Sequence, residues 1–319
     1  MWKLSDDRDL EEKEMRVRFR ETLEYLMGEN NKVLAFEADL GAASSFSKIQ
    51  DSYPDNYVQM GISEANMVGV AASTSMRGFI PYIHTFSPFA SRRVADQVYL
   101  TGAYAHNTLN IFGSDPGVCA ATNGGTHTTF EDIALYRAIP GAMVFDPADN
   151  VQLDWLIKEV ATLKGVHYIR ASRKAVSKIY KEGSKFEIGK GNVIRKGTNV
   201  LLITMGILIN DALDAAIELE KEGISVEVVD MFTIKPLDSE LIKTQLDGKK
   251  LVVTFENHNI INGLGSAVAE IMAETGSKIK LKRIGVEDRF GQVGSFEFLK
   301  KEYGLTKEHV KSAILDLVK

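Results

Sequence analysis

The sequence predicts an α/β protein of two domains, each a mainly parallel sheet covered by helices on both faces. Three observations predict it. Short β-rich runs alternate with helical segments along nearly the whole chain, the pattern of a sheet with helices on its faces. The length, 319 residues, suits two domains that each bury a core. A Lys- and Gly-rich stretch of weak periodicity between residues 178 and 197 is the natural connection. The boundaries read from it are 1–180 for the first domain, 181–195 for a linker and 196–319 for the second.

The elements follow in order. Leu10 to Gly28 reads as a helix and Lys32 to Glu37 as a strand ending at Ala38-Asp39-Leu40-Gly41. Tyr57 to Met60 is strand-like and leads into a helix headed by Glu64. Phe79 to His84 is a strand, and Pro88 to Ala105 a helix with Pro88 suited to its first turn. Leu109 to Phe112 is a strand, followed by the loop Ser114 to Thr129. A helix over Glu131–Ala138, a strand over Ala142–Phe145, a helix over Asn150–Leu163 and a strand over Val166–Arg170 close the first domain. In the second, strands are read over 199–204, 225–229, 250–255 and 278–284. Helices are read over 210–221, 238–245, 263–274, 296–302 and 307–317.

Composition excludes several classes. The chain is 45% apolar and 25% charged with 7 prolines, as in a globular enzyme, and its net charge of −5 lacks the basic stripe of a nucleic-acid binder. Cys119 is the single cysteine, so neither an internal disulfide nor a cysteine metal cluster is possible. A charged N-terminal stretch argues against a secretory signal, and no apolar run approaches the about 18 residues of a membrane span. A cytoplasmic location is the default expectation.

The most informative segment is Gly61-Ile62-Ser63-Glu64-Ala65-Asn66-Met67. It sets one carboxylate at the head of a small, apolar helix, at a strand-to-helix junction where α/β sheets bind ligands. Desolvated there, it would have a raised pKa and could exchange a proton with a bound cofactor. The alternative is an acid placed to favour the helix dipole, with Ser63 as N-cap. Gly263-Leu264-Gly265-Ser266 opens a helix after a strand, but Val268 stands where a dinucleotide fingerprint needs its third glycine, so close packing is the better reading. The loop Asn123-Gly124-Gly125-Thr126-His127 brings hydroxyls and an imidazole to a strand end. Arg16, Arg170 and Arg173 sit where guanidinium groups could clamp a phosphate. Phe86 and Phe89 are either core or the wall of a pocket for a flat ring. His84 and His258 read as structural. There is no metal-ligand spacing and no nucleophile elbow.

Order and spacing of these pieces resemble the transketolase group of thiamine-diphosphate enzymes. The segments are Ala38-Asp39-Leu40, Gly61-Ile62-Ser63-Glu64, Gly78-Phe79-Ile80-Pro81-Tyr82, Thr85-Phe86, Phe89, Thr126-His127, Ser172-Arg173 and Glu256-Asn257-His258 with Gly263-Leu264-Gly265. The resemblance covers nearly the whole chain and matches the pyrimidine-binding and C-terminal domains, as in the C-terminal subunit of a split, two-chain transketolase. It implies that Glu64 bonds N1′ of the cofactor's aminopyrimidine and promotes its imino form, with His127 beside it in catalysis. It implies that Asp39, Leu40, Phe86, Phe89 and Arg92 line the cofactor, Arg92 standing in for a tyrosine. Arg16, His127 and Arg173 match positions that contact a sugar phosphate. Ser114 replaces a phosphate-binding His of many members, and Asn123 replaces an Asp that reads an acceptor hydroxyl. The diphosphate and its Mg²⁺ or Ca²⁺ would be held by an N-terminal partner subunit, in an α2β2 assembly with the cofactor between chains. The rival readings are the β subunit of a 2-oxo acid dehydrogenase E1 component and a non-catalytic assembly paralogue.

Overall fold

A computed structural model describes residues 1–318. In chain order its strands are β1 (Val33–Glu37), β2 (Tyr57–Gln59), β3 (Ile80–Phe86), β4 (Leu109–Ser114), β5 (Met143–Phe145) and β6 (Val166–Ala171). They continue with β7 (Asn192–Arg195), β8 (Val200–Thr204), β9 (Val226–Asp230), β10 (Thr233–Lys235), β11 (Leu251–Asn259) and β12 (Lys280–Val286). One sheet has the order β10-β5-β6-β4-β3-β1-β2 and the other β12-β11-β8-β9-β7. All pairings are parallel except β10 with β5 and β7 with β9. The central strands are buried along their length because helices cover both faces. The helix Met15–Glu29 shows how: Met15, Phe19, Leu23 and Met27 make one apolar stripe, and Phe19 stacks on Phe112 of β4 at 4.1 Å.

Strand order decides where a ligand can enter. From β1 the chain passes to β2 on one side and then to β3 on the other. The loops leaving β1 and β3 therefore diverge and open a crevice at the carboxyl ends of the strands.

Four sequence expectations are corrected here. The helix expected over Pro88–Ala105 is broken into the turns Ser87–Ala90, Arg92–Val94, Ala95–Gln97 and Val98–Tyr104. Ser91 departs from helical geometry (φ −119°, ψ −84°), and its hydroxyl bonds Ser87 O at 2.6 Å, competing with the backbone ladder. The first helix starts at Met15; Leu4 and Leu10 lie extended and bridge to Tyr180 and Ser177. The stretch read as a connection ends in β7, which pairs with β9. Finally, β10, only three residues long, leaves the second half of the chain to join the first sheet beside β5.

The two halves are also joined by buried carboxylates. Asp149 caps the helix Asn150–Val160 by accepting from Gln152 N at 2.9 Å, and it accepts from Ile179 N and Tyr180 N. Asp230, ending β9, accepts from Tyr180 Oη, Gln152 Nε2 and Asn192 Nδ2. Burial pushes both carboxyls up to about 6. A carboxyl whose folded pKa exceeds its unfolded value of about 3.9 holds its proton more tightly when folded, so its contribution to stability is lost as pH rises through 6. In Asp230→Asn an amide oxygen can take over the three bonds without a buried charge. Its melting temperature is expected to improve relative to wild type between about pH 4 and pH 7; a constant difference would remove carboxylate burial as the cause.

Candidate active site

The carboxyl edge of the first sheet gathers most of the candidate residues. β1 ends at Glu37, and Asp39 follows with φ 60°, a left-handed conformation that Asp tolerates better than most residues. Gln59, ending β2, accepts from Asp39 N at 2.8 Å and from Gly61 N at 3.0 Å through one oxygen, which ties the loop after β1 to the loop that leads into Glu64. Leu40, half-buried, starts the short turn Gly41–Ser44.

Glu64 opens the helix Glu64–Ser75 and is 4% exposed. Ser63 holds the N-cap position, but its hydroxyl donates to Met60 O at 2.8 Å instead of capping the helix. Glu64 Oε1 accepts from Arg93 Nη1 at 2.5 Å, and that guanidinium lies 3.9 Å above the Phe89 ring. Phe86 and Phe89 have centroids 6.2 Å apart, and the His127 ring meets them edge-on at 6.0 and 5.3 Å. Arg173 covers the Phe86 ring at 4.7 Å while its Nε donates to Asp115 Oδ2 at 2.5 Å. Arg16 lies next along the edge: its backbone N–H donates to Arg173 O, and its Nη1 to Ala43 O at 2.9 Å. Asn123 is exposed and lines, with Arg173, Ser172, Cys119 and Lys300, a cavity of about 490 Å³. A buried acid, an aromatic wall and three guanidinium groups thus form one row.

Three expected site residues stand apart from it: Arg170, read as a possible phosphate clamp, is fully buried between Asp132 and Asp146 and faces no open site, and Ser114 and Arg92 are also turned away. Ser114 is fully buried, and its hydroxyl meets His84 Nε2 at 2.9 Å, while His84 Nδ1 meets Glu37 Oε2 at 2.9 Å. From there Ser114 cannot touch a substrate. Arg92 pairs with Glu131 at 2.5 Å and reaches Thr128 O, so its neighbour Arg93 is the arginine at Glu64. Sequence reasoning missed Arg93. The doublet Arg92-Arg93 was the available signal, and the break at Ser91 determines which member turns inward.

The glycine turn after β11 has an internal explanation. Glu256, fully buried, accepts from Leu264 N at 2.7 Å and Gly265 N at 2.8 Å, so a carboxylate of the chain itself occupies the helix N-terminus. A Cβ on Gly263 would lie 2.0 Å from Glu256 Oε2, which is why glycine is needed. Close packing is therefore the correct reading of that motif. His258 is buried, with Nδ1 2.7 Å from Asn259 O, and burial lowers its pKa to about 4.

Two family models cover the chain in turn: the transketolase pyrimidine binding domain over residues 11–178 and the transketolase C-terminal domain over 189–310. The chain belongs to the transketolase family. Members of that family depend on thiamine diphosphate. Among curated proteins, a 6-deoxy-6-sulfo-D-fructose transketolase subunit, SqwH, of Clostridium sp. (strain MSTE9) is 42% identical over 91% of this chain and 90% of its own length. A putative transketolase C-terminal section of Methanocaldococcus jannaschii is 37% identical over 96% and 97%. Among solved structures, a split gene transketolase described as an inactive beta4 tetramer superposes with a TM-score of 0.88 at 35% identity, covering 96% of this chain and 98% of that one. The two-domain transketolase fold expected from the sequence is borne out.

Proposed function

We propose that this chain is the C-terminal subunit of a two-chain transketolase and moves a two-carbon ketol unit from a ketose to an aldose, each carrying a terminal anion. The carrying observation is the buried carboxylate of Glu64, set at the head of its helix beside Phe86, Phe89 and His127. Thiamine diphosphate fits this set: a flat aminopyrimidine suits an aromatic wall, and its ring nitrogen suits a buried acid. When bound, the cofactor supplies the electron sink for breaking a carbon–carbon bond next to a carbonyl. Glu64 would hold and exchange a proton at N1′ of the pyrimidine. Phe86 and Phe89 would fix the ring plane, and the Asp39-Leu40 loop would close the crevice from the β1 side. Arg93 would keep the Glu64 carboxylate aimed along the Phe89 ring. His127 faces the same space and would bond the reacting sugar's oxygens, and Arg173 with Arg16 would receive its anionic end.

The diphosphate and its Mg²⁺ or Ca²⁺ would be bound by an N-terminal partner subunit in an α2β2 assembly; both chains would act in the cytoplasm. Among the described residues no helix is long and apolar enough to cross a membrane. The substrate anion would be a phosphate or a sulfonate. Burial of Ser114 removes one expected phosphate contact, and the SqwH relative is named for a sulfo sugar.

The test is to assay the chain alone and co-purified with a partner bearing the diphosphate-binding domain, with thiamine diphosphate and Mg²⁺. Donors would include ketose phosphates and 6-deoxy-6-sulfo-D-fructose, with aldose phosphates as acceptors. The chain alone should be inactive and the complex should transfer ketol units. Turnover only of pyruvate with a lipoyl acceptor would replace this reading with the dehydrogenase one.

A further inference from the structure

We propose that the second domain sets the position of the loop carrying Asn123 and His127, with Asn257 and the Gly291 turn as its positioning residues. The proposal rests on the substrate role assigned to that loop above.

The segment from Asp115 to Phe130 is held from behind at three points. Asn257, on β11 and 2% exposed, accepts from Val118 N through Oδ1 at 3.0 Å and donates from Nδ2 to Pro116 O at 3.0 Å. The fit leaves no spare room, since a Cβ on Gly117 would lie 2.1 Å from Asn257 Oδ1. Two residues further along β11, Asn259 N donates to Phe130 O at 2.9 Å. The third point is the turn after β12, where two backbones meet directly. A Cβ on Gly125 would lie 2.3 Å from Gly291 O, and one on Gly291 would lie 2.5 Å from Thr128 Cβ. Thr128 in turn donates from Oγ1 to Gly124 O at 2.9 Å, and Val293 sits 2.8 Å from where a Gly124 Cβ would stand.

These contacts press on one side of the loop while the His127 ring presses on Phe86 and Phe89 on the other. The second domain also walls the cavity beside Asn123 and Arg173 with Phe296 and Lys300, the latter fixed by Asp211 at 2.7 Å. Movement of the Gly291 turn therefore displaces substrate contacts, whereas Glu64, Phe86 and Arg93 lie on β3 and its flanking segments and stay in place. The result is a division of work: the first domain holds the cofactor acid, and the second sets the sugar-facing loop.

Gly291→Ala in the assembled complex tests it. The added methyl must push on Thr128, and a misplacement of about 1 Å at a substrate contact costs up to about 10²-fold in kcat/KM. The expected result is a rise of at least about tenfold in KM for donor and acceptor. Cofactor affinity should stay near wild type, and amide exchange should speed up in residues 122–129 alone. Val293→Ala, at an exposed side chain, is expected to give a smaller rise in KM with the same selective exchange. It carries the test if Gly291→Ala does not fold. Unchanged exchange at 122–129, or faster exchange with unchanged KM, would overturn the proposal. So would a parallel loss of cofactor affinity and stability. If the wild-type complex transfers no ketol unit, the functional reading has failed, and the exchange measurement by itself decides whether the second domain holds the loop.

Discussion

Glu64→Gln is expected to lower kcat of the assembled holoenzyme by about 10²- to 10⁴-fold, the range a positioned proton-transfer group contributes. The two side chains match in size, and Gln keeps an oxygen where Arg93 Nη1 now donates, so the pocket should survive. What is lost is the ability to take up and return a proton at N1′ of the pyrimidine. Glu64 is 4% exposed at the head of a helix that carries no other charge, so no other carboxylate on that helix can substitute. Steady-state kinetics with saturating thiamine diphosphate, beside an equilibrium titration of the cofactor, separate the roles. A large fall in kcat with cofactor affinity kept within about tenfold supports proton exchange. Full turnover by the Gln variant would end the assignment. Loss of cofactor binding alone would make Glu64 a binding group only.

Glu64 was legible because its context is sparse: one acid ahead of a small, apolar helix, at a sheet edge. Phe86 and Phe89 were legible for the same reason, standing three apart beyond a strand. Arg93 was not, because its direction depends on a break at Ser91 that hydroxyl–backbone bonds create and helix periodicity cannot foresee. Ser114 shows the converse. Family resemblance put it in the substrate site, whereas the pairing of β4 with β3 turns its hydroxyl inward to His84. The strands β7 and β10 escaped notice because each is a short edge strand fixed by antiparallel pairing with a partner distant in sequence, β7 with β9 and β10 with β5, which local patterning does not show. The turn at Gly263 read correctly as packing, although the buried acid it wraps, Glu256, became visible only in three dimensions; burial pushes that carboxyl up to about 7.

Arg170→Met is expected to be the most destabilising single change, costing about 3–5 kcal/mol, because it leaves buried carboxylates without their cation. Arg170 is 0% exposed at the end of β6. Its Nε donates to Asp132 Oδ2 at 2.7 Å, its Nη1 to Asp146 Oδ2 at 2.7 Å and its Nη2 to Asn257 O at 2.9 Å. Tyr168 Oη donates to the same Asp132 oxygen at 2.8 Å. The cluster joins the domains: Asn257 lies on β11, and a Cβ on Gly206, which follows β8, would lie 2.2 Å from Asp146 Oδ1. Methionine fills much of the space, so the loss would report charge rather than a cavity. The pH dependence gives a second signature. Burial already pushes Asp146 up to about 6 against the pull of Arg170, and without the guanidinium it would rise further. A carboxyl with a raised folded pKa loses its stabilising contribution as pH climbs through that value. The deficit of Arg170→Met should therefore be greatest near pH 7 and shrink towards about pH 5, measured by urea unfolding. Arg170→Lys, with one ammonium and no fork, should fall between the two. Restoring stability in Arg170→Met by adding Asp132→Asn and Asp146→Asn would locate the cost in the stranded charges. A deficit that neither varies with pH nor responds to those additions would place it in packing instead.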